Sequence, residues 1–244
     1  MNSRRRVNST VRWLSRIENV NMDHSVEYER AVELFHEIEA ERDEHRLSQT
    51  LNQLISRLSC ITSAEPENAD AFHLLGLCWY DLPKTSADTN RHAEDAFRRC
   101  LEIDPEHQYA NLFLGHVLFD TMRYEEADQR FGRIDPEFFV ARTQQWRVVK
   151  NDELRLCCRL ELRPESVAFH ELDALCSRYE VDLHLPVPVE IVSCLDHLVK
   201  RDGLSRELLQ NYSSRVLSML KVSDNLNVAY LQEPIMRLSR IVTS

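Results

Sequence analysis

Apolar residues recur three and four positions apart along most of this chain, the spacing that places them on one face of a helix. Tyr28, Ala31, Phe35 and Ile38 make a first such stripe, and Leu51, Leu54, Leu58 and Ile61 a second, closing at Pro66. The charged stretch 39–45 between them reads as a solvated helix end. A second pair follows. Its first helix carries Phe72, Leu75, Gly76 and Trp79 and ends before Pro83, because proline disfavours helical geometry in the residue before it. After a polar loop beginning at Lys84, its second helix carries Ala93, Phe97, Cys100 and Leu101 and closes at Asp104-Pro105. A third pair uses Leu114, Gly115 and Leu118, then Ala127, Phe131 and Ile134, with Tyr124 at the turn and Asp135-Pro136 at the end.

The stripes repeat in frame. Pro66 and Pro105 are 39 residues apart, as are Gly76 and Gly115. The chain has only 4 glycines, and glycine costs about 1 kcal/mol relative to alanine inside a helix. Two of them in the same helical frame, Phe72-Leu75-Gly76-Trp79 and Asn111-Leu114-Gly115-Leu118, therefore require a close neighbour. Ala93-x3-Phe97 and Ala127-x3-Phe131 supply the matching small-then-large pattern on the second helices, a knob-and-hole fit. A fixed period of this kind marks a solenoid.

These residues resemble the tetratricopeptide repeat family, whose 34-residue helix–turn–helix carries aromatic, Leu-Gly, aromatic, Ala, Phe and Pro positions. The extra residues of the 39-residue spacing fit the polar loop between Pro83 and Ala93. The match is strongest over 69–105, good over 107–136 and weaker over 24–66, which lacks the Leu-Gly pair. The resemblance implies an all-α fold: helical-hairpin repeats over 24–136, preceded by a basic segment 1–22 and followed by a C-terminal helical region 137–244 that caps the solenoid.

Region 137–244 carries a less regular pattern. Phe138, Ala141, Val149, Leu156, Cys157 and Leu160 share a helical side, and 158–165 echoes 99–106 as a degenerate repeat. Leu154, Leu156, Cys158, Leu160 and Leu162 also alternate, as do Val181, Leu183, Leu185, Val187 and Val189. Alternation is strand-like, although Pro186 and Pro188 spoil a central strand. Helix is favoured for 138–162, and minor strand content at 145–162 and 181–189 stays an alternative. Later helices are expected over 165–180, over 190–201 with Gly203 at its end, over 205–220 with Ser205 as cap, and over about 227–241 with Pro234 as an interruption.

Charge and composition narrow the function. Net charge is −10, with 43% hydrophobic and 29% charged residues, which argues against disorder and against a general nucleic-acid binder. No apolar run reaches the length of a membrane span. Seven cysteines without a Cys-x-x-Cys suggest reduced thiols in a cytoplasmic protein, and Cys60, Cys78 and Cys100 are expected in the core. Arg4, Arg5, Arg6, Arg12 and Arg16 precede the first acidic residue, Glu18. With Trp13, Leu14 and Ile17 they make a basic amphipathic start.

Signals for chemistry are thin. His36-Glu37 and His170-Glu171 do not extend to the His-Glu-x-x-His zinc pairing, and no phosphate-binding glycine loop or nucleophile elbow is present. No catalytic residues, metal or cofactor are expected. The resemblance implies instead that first helices line a concave surface. On this chain the groove positions are Asp70, His73, Leu77, Tyr80 and Asp81, then Tyr109, Leu112, His116, Phe119 and Asp120. The family's carboxylate clamp uses lysine, arginine and asparagine there; His73, Leu77, Leu112 and His116 do not reproduce it. The expected function is protein–protein interaction, as an adaptor, chaperone or immunity-type binder. It would hold a basic helix or peptide in an acidic, aromatic groove, with residues 8–18 as one candidate ligand in cis or in a second copy. A sensor of a small signal, and an enzyme with a site in 137–244, stand as alternatives.

Overall fold

The computed structural model describes residues 26–38, 41, 43–83, 88–181, 188–200, 205–222 and 231–243. Twelve α-helices and no strand occur among the described residues, so the fold is all-α. The basic start, including residues 8–18, lies outside them, as does Gly203. The chain divides into two compact units between Arg123 and Tyr124. The two helices of the third expected hairpin thus fall in different units.

The N-terminal unit contains α1 (Val26–Glu37), α2 (Glu44–Ala64), α3 (Ala69–Asp81), α4 (Asp88–Ile103) and α5 (Gln108–Asp120). Each helix packs on the next in sequence, and α3 also packs on α5. Local chemistry sets the boundaries. Asn68 caps α3 by accepting the Ala71 N–H at 3.0 Å, and His107 caps α5 by accepting the Ala110 N–H on Nδ1, also at 3.0 Å. The two caps are 39 residues apart, the spacing of the prolines and glycines. Each such cap contributes about 1 kcal/mol.

Gly76 has the close neighbour its cost demands. A Cβ there would stand 2.5 Å from the Phe97 ring. The ring of α4, rather than Ala93, is what fills the space above the glycine. Phe97 in turn stacks on Phe113 at 5.9 Å, so one aromatic contact chain joins α3, α4 and α5. Helix α5 ends in a Schellman turn: Arg123 N–H reaches the Leu118 carbonyl at 2.9 Å, and Met122 N–H that of Phe119 at 3.0 Å. The turn places Met122 at φ 63°, where glycine would be unstrained.

The C-terminal unit holds α6 (Tyr124–Phe131), α7 (Pro136–Val140), α8 (Gln145–Leu162), α9 (Phe169–Val181), α10 (Val189–Lys200), α11 (Arg206–Val222) and α12 (Gln232–Thr243). Helix α8 is its hub, with α6, α7, α9 and α10 packed on it. Leu154, Leu156, Cys157, Cys158 and Leu160 are all buried. The strand alternative for 145–162 is therefore overturned: the alternating residues belong to a helix whose buried positions include polar Arg147, Asn151, Glu153 and Glu161, so no clean apolar stripe shows its period. Residues 182–187 lie outside the described part, and Val189 begins α10. Between α8 and α9, residues Pro164–Ser166 form a short 3-10 turn. Thr143 closes the turn after α7 at φ 56°, again with Schellman bonds, Gln144 N–H to Phe139 O at 2.8 Å and Thr143 N–H to Val140 O at 3.0 Å.

Two ion-pair clusters fasten the later helices. Arg215 of α11 donates to Asp173, Ser177 and Glu180 of α9. Arg237 of α12 donates Nη2 to Asp196 Oδ2 of α10 at 2.9 Å, and Lys200 donates to the same carboxylate at 2.7 Å. Burial pushes the Asp196 carboxyl up, but the bonds from Arg237 and Lys200 outweigh it and hold the group below the usual range. Ser205 contacts the Leu208 N–H at the start of α11 as expected. Pro234 does not interrupt the last helix; it sits in the first turn of α12, where its missing N–H has no intrahelical role. Of the cysteines, Cys60 is exposed and the other six are buried. Cys60 falls on the solvent side of α2, beside buried Leu58 and Ile61, which corrects its expected place in the core.

Candidate functional site

Helices α3 and α5 run in the same direction, which brings their groove positions together in register. At one end His107 donates its Nε2–H to Asp70 at 3.2 Å; the Ala110 cap occupies Nδ1, and this fixes the tautomer. His73 lies 4.7 Å from the His107 ring and stacks at 6.0 Å on Tyr109. Phe113 stands at the centre, 6.1 Å from His73 and 6.0 Å from Tyr80. At the other end the Tyr80 hydroxyl donates to Asp120 Oδ2 at 3.3 Å, and the His116 ring lies 6.5 Å from that of Tyr80. The result is an aromatic strip with a carboxylate at each end.

Packing divides the expected residues. Asp70, Tyr80, Asp81, Tyr109, His116 and Asp120 keep partial exposure, whereas His73, Leu77, Leu112 and Phe119 are buried. Helix α3 is covered by α2, α4 and α5, so residues near its middle have no open side and only its ends stay accessible. The expectation that His73 and Leu77 face a ligand is corrected on this ground, and Leu112 and Phe119 of α5 are likewise too buried to do so. His73 is 7% exposed, and its Nε2 has no hydrogen-bond partner. Burial, aided by the neighbouring His107, holds its imidazole well below the usual histidine range. His73 is thus a neutral ring in a mostly aromatic setting.

The C-terminal unit holds a polar cluster that no sequence motif announced. Glu153 is 0% exposed. It accepts from Lys150 Nζ at 2.6 Å, from the Tyr179 hydroxyl at 2.6 Å and from the Ile191 N–H at 3.0 Å, where it caps α10. Lys150 also donates to Glu190. Burial pushes Glu153 up and Tyr179 well up. Burial alone would lower Lys150, but Glu153 and Glu190 together hold it above its ordinary value. Three helices, α8, α9 and α10, are joined at this one carboxylate. A separate groove between α8 and α9 is lined by Asp152, Arg155, Leu156, Arg159, Glu171, Ala174, Leu175 and Arg178 and shares no residue with the cluster. No group of three or more metal-ligating side chains occurs among the described residues, and no described helix is long and apolar enough to cross a membrane.

No family model and no curated protein sequence matches this chain.

Proposed function

We propose that the N-terminal unit is a tetratricopeptide-like repeat array that binds another protein in the cytoplasm, without catalysis, through the strip formed by α3 and α5. The observation that carries the reading is the register between the two helices: Tyr80 meets Asp120, two positions that the repeat resemblance nominates, and Asp70, a third, meets the α5 cap His107. The repeated caps at Asn68 and His107 and the Gly76–Phe97 contact support the same repeat. Tyr80 and Tyr109 offer aromatic anchors, the residue type enriched at binding hot spots. Asp70, Asp81 and Asp120 favour a partner bearing lysine or arginine, and the net charge of −10 steers such a partner inward.

The test is recovery of a partner from native extract by the wild type and by Tyr80→Ala/Asp120→Ala, with melting curves recorded for both. Loss of one specific protein in the variant, at unchanged melting temperature, is the expected result. Equal recovery sinks the groove reading. The basic segment 8–18 is a candidate ligand for the same strip. Deleting residues 1–20 is then expected to lower hydrogen-exchange protection in α3 and α5, and unchanged protection removes that ligand.

A further inference from the structure

Helices α8 and α9 run antiparallel beside a half-open groove of about 410 Å³, within the range of small-molecule sites. The groove is latched at both ends. Arg178 donates to Asp152 at one, and Arg159 Nη1 donates to Glu171 Oε2 at 2.6 Å at the other. Between the latches the floor is apolar, made of buried Leu156 and Leu175 with the small side chain of Ala174 beside them. Arg155 flanks the floor, and its Nε donates to Asp128 of α6 at 3.0 Å.

Helix packing alone does not account for these arginines. Their side chains are 43, 40 and 42% exposed for Arg155, Arg159 and Arg178, and ion pairs so exposed contribute about 0–1 kcal/mol each. The buried leucines and the Tyr179–Glu153 bond already join α8 to α9. Arg155 and Arg159 stand one helical turn apart, where like charges cost a few tenths of a kcal/mol. Each of the three guanidinium groups spends one N–H on a carboxylate, which leaves further N–H donors on each. A guanidinium fork matches a carboxylate or phosphate bidentately, and two forks one turn apart can share a single oxyanion.

We infer that this groove binds a small amphiphilic anion. Its carboxylate or phosphate head lies on Arg155 and Arg159, with Arg178 across the groove, and its short apolar body covers Leu156, Ala174 and Leu175. The chain is acidic overall, so recognition rests on these local donors, and added salt weakens it. The site is independent of the α3–α5 strip.

The intact chain is titrated with octanoate and with octyl phosphate, which separates the two head groups, and with octanol and inorganic phosphate as body and head alone. Binding is read from the melting temperature and from the ¹⁵N resonances of the arginine Nε groups. The expected result is saturable binding of at least one amphiphilic anion, about tenfold or more tighter than either half. R155Q/R159Q is expected to weaken it by about tenfold or more, R155K/R159K to lie between, and R91Q, on an exposed residue of α4, to match the wild type. Should the double variant unfold, R155Q alone suffices, since the carboxylate it releases, Asp128, lies outside the groove. Non-saturable responses to all probes, octanol binding as tightly as octanoate, or undiminished binding by the folded Arg155 variant overturns the proposal.

Discussion

The two units solve the same packing problem with different chemistry. In the N-terminal unit each helix rests on its sequence neighbour, and the interior is apolar and aromatic, running through Gly76, Phe97 and Phe113. In the C-terminal unit four helices pack on α8, and a fully buried carboxylate, Glu153 of α8, ties it to α9 and α10. Ring-on-glycine packing depends on shape and tolerates small adjustments. A buried ion has no good alternative arrangement, so it specifies one geometry at a high cost of disruption. Where the same period recurs along the chain, shape suffices to set the order of helices; where it does not, directional bonds define it.

Glu153→Ala is the strongest way to break this contrast. It removes one of the two carboxylates that hold Lys150 and takes away the oxygens to which the Tyr179 hydroxyl and the Ile191 N–H donate, so the C-terminal unit is expected to lose about 3–5 kcal/mol. Hydrogen exchange in α8–α10 should report the loss while α3 and α4 keep their protection; a uniform loss would contradict the division. Gly76→Val is the counterpart. A side chain driven into the Phe97 ring is expected to cost the N-terminal unit about 1–3 kcal/mol by overpacking, read in the same experiment on α3 and α4.

Acid provides a finer comparison. His73 is held neutral well below the usual histidine range, while the unfolded chain takes up its proton near pH 6.5. As pH falls below about 6.5 the unfolded state binds the extra proton, and stability drops by up to about 1.4 kcal/mol per unit. His73→Phe is expected to remove most of that slope in urea melts between pH 7 and 5, leaving the smaller contribution of His36, which burial also lowers. An unchanged slope would refute the neutral-ring account. The smallest expected effects are at the left-handed turns. Thr143→Gly should raise stability by about 1 kcal/mol, because a β-branched residue at positive φ is strained. Met122→Gly should give less.

The regular spacing was legible because it is local: prolines and glycines 39 residues apart can be read from the residues themselves, and the structure gives Gly76 its close neighbour. The caps Asn68 and His107 share that spacing and went unread, because histidine is an unusual cap. The α3–α5 strip was legible as a register but not as a surface. Helical spacing says which residues share a face, whereas the cover that buries His73 and Leu77 comes from three other helices. Helix α8 was ambiguous for a related reason: polar residues among its buried positions blur the apolar stripe that reveals a period. The Glu153 cluster was not legible at all. Its partners Tyr179 and Ile191 lie 26 and 38 residues away, with no local motif linking them.

The distribution of the thiols has a practical consequence. Burial raises the buried thiols Cys78, Cys100, Cys157, Cys158 and Cys176 out of the range in which a thiolate forms near neutral pH, and Cys194 is also buried. Cys60, on the outer face of α2, is left as the one accessible thiol among the seven. A maleimide dye or spin label added to the unmodified native chain should therefore land at a single known address, giving a reporter for a partner's arrival without engineering the sequence first.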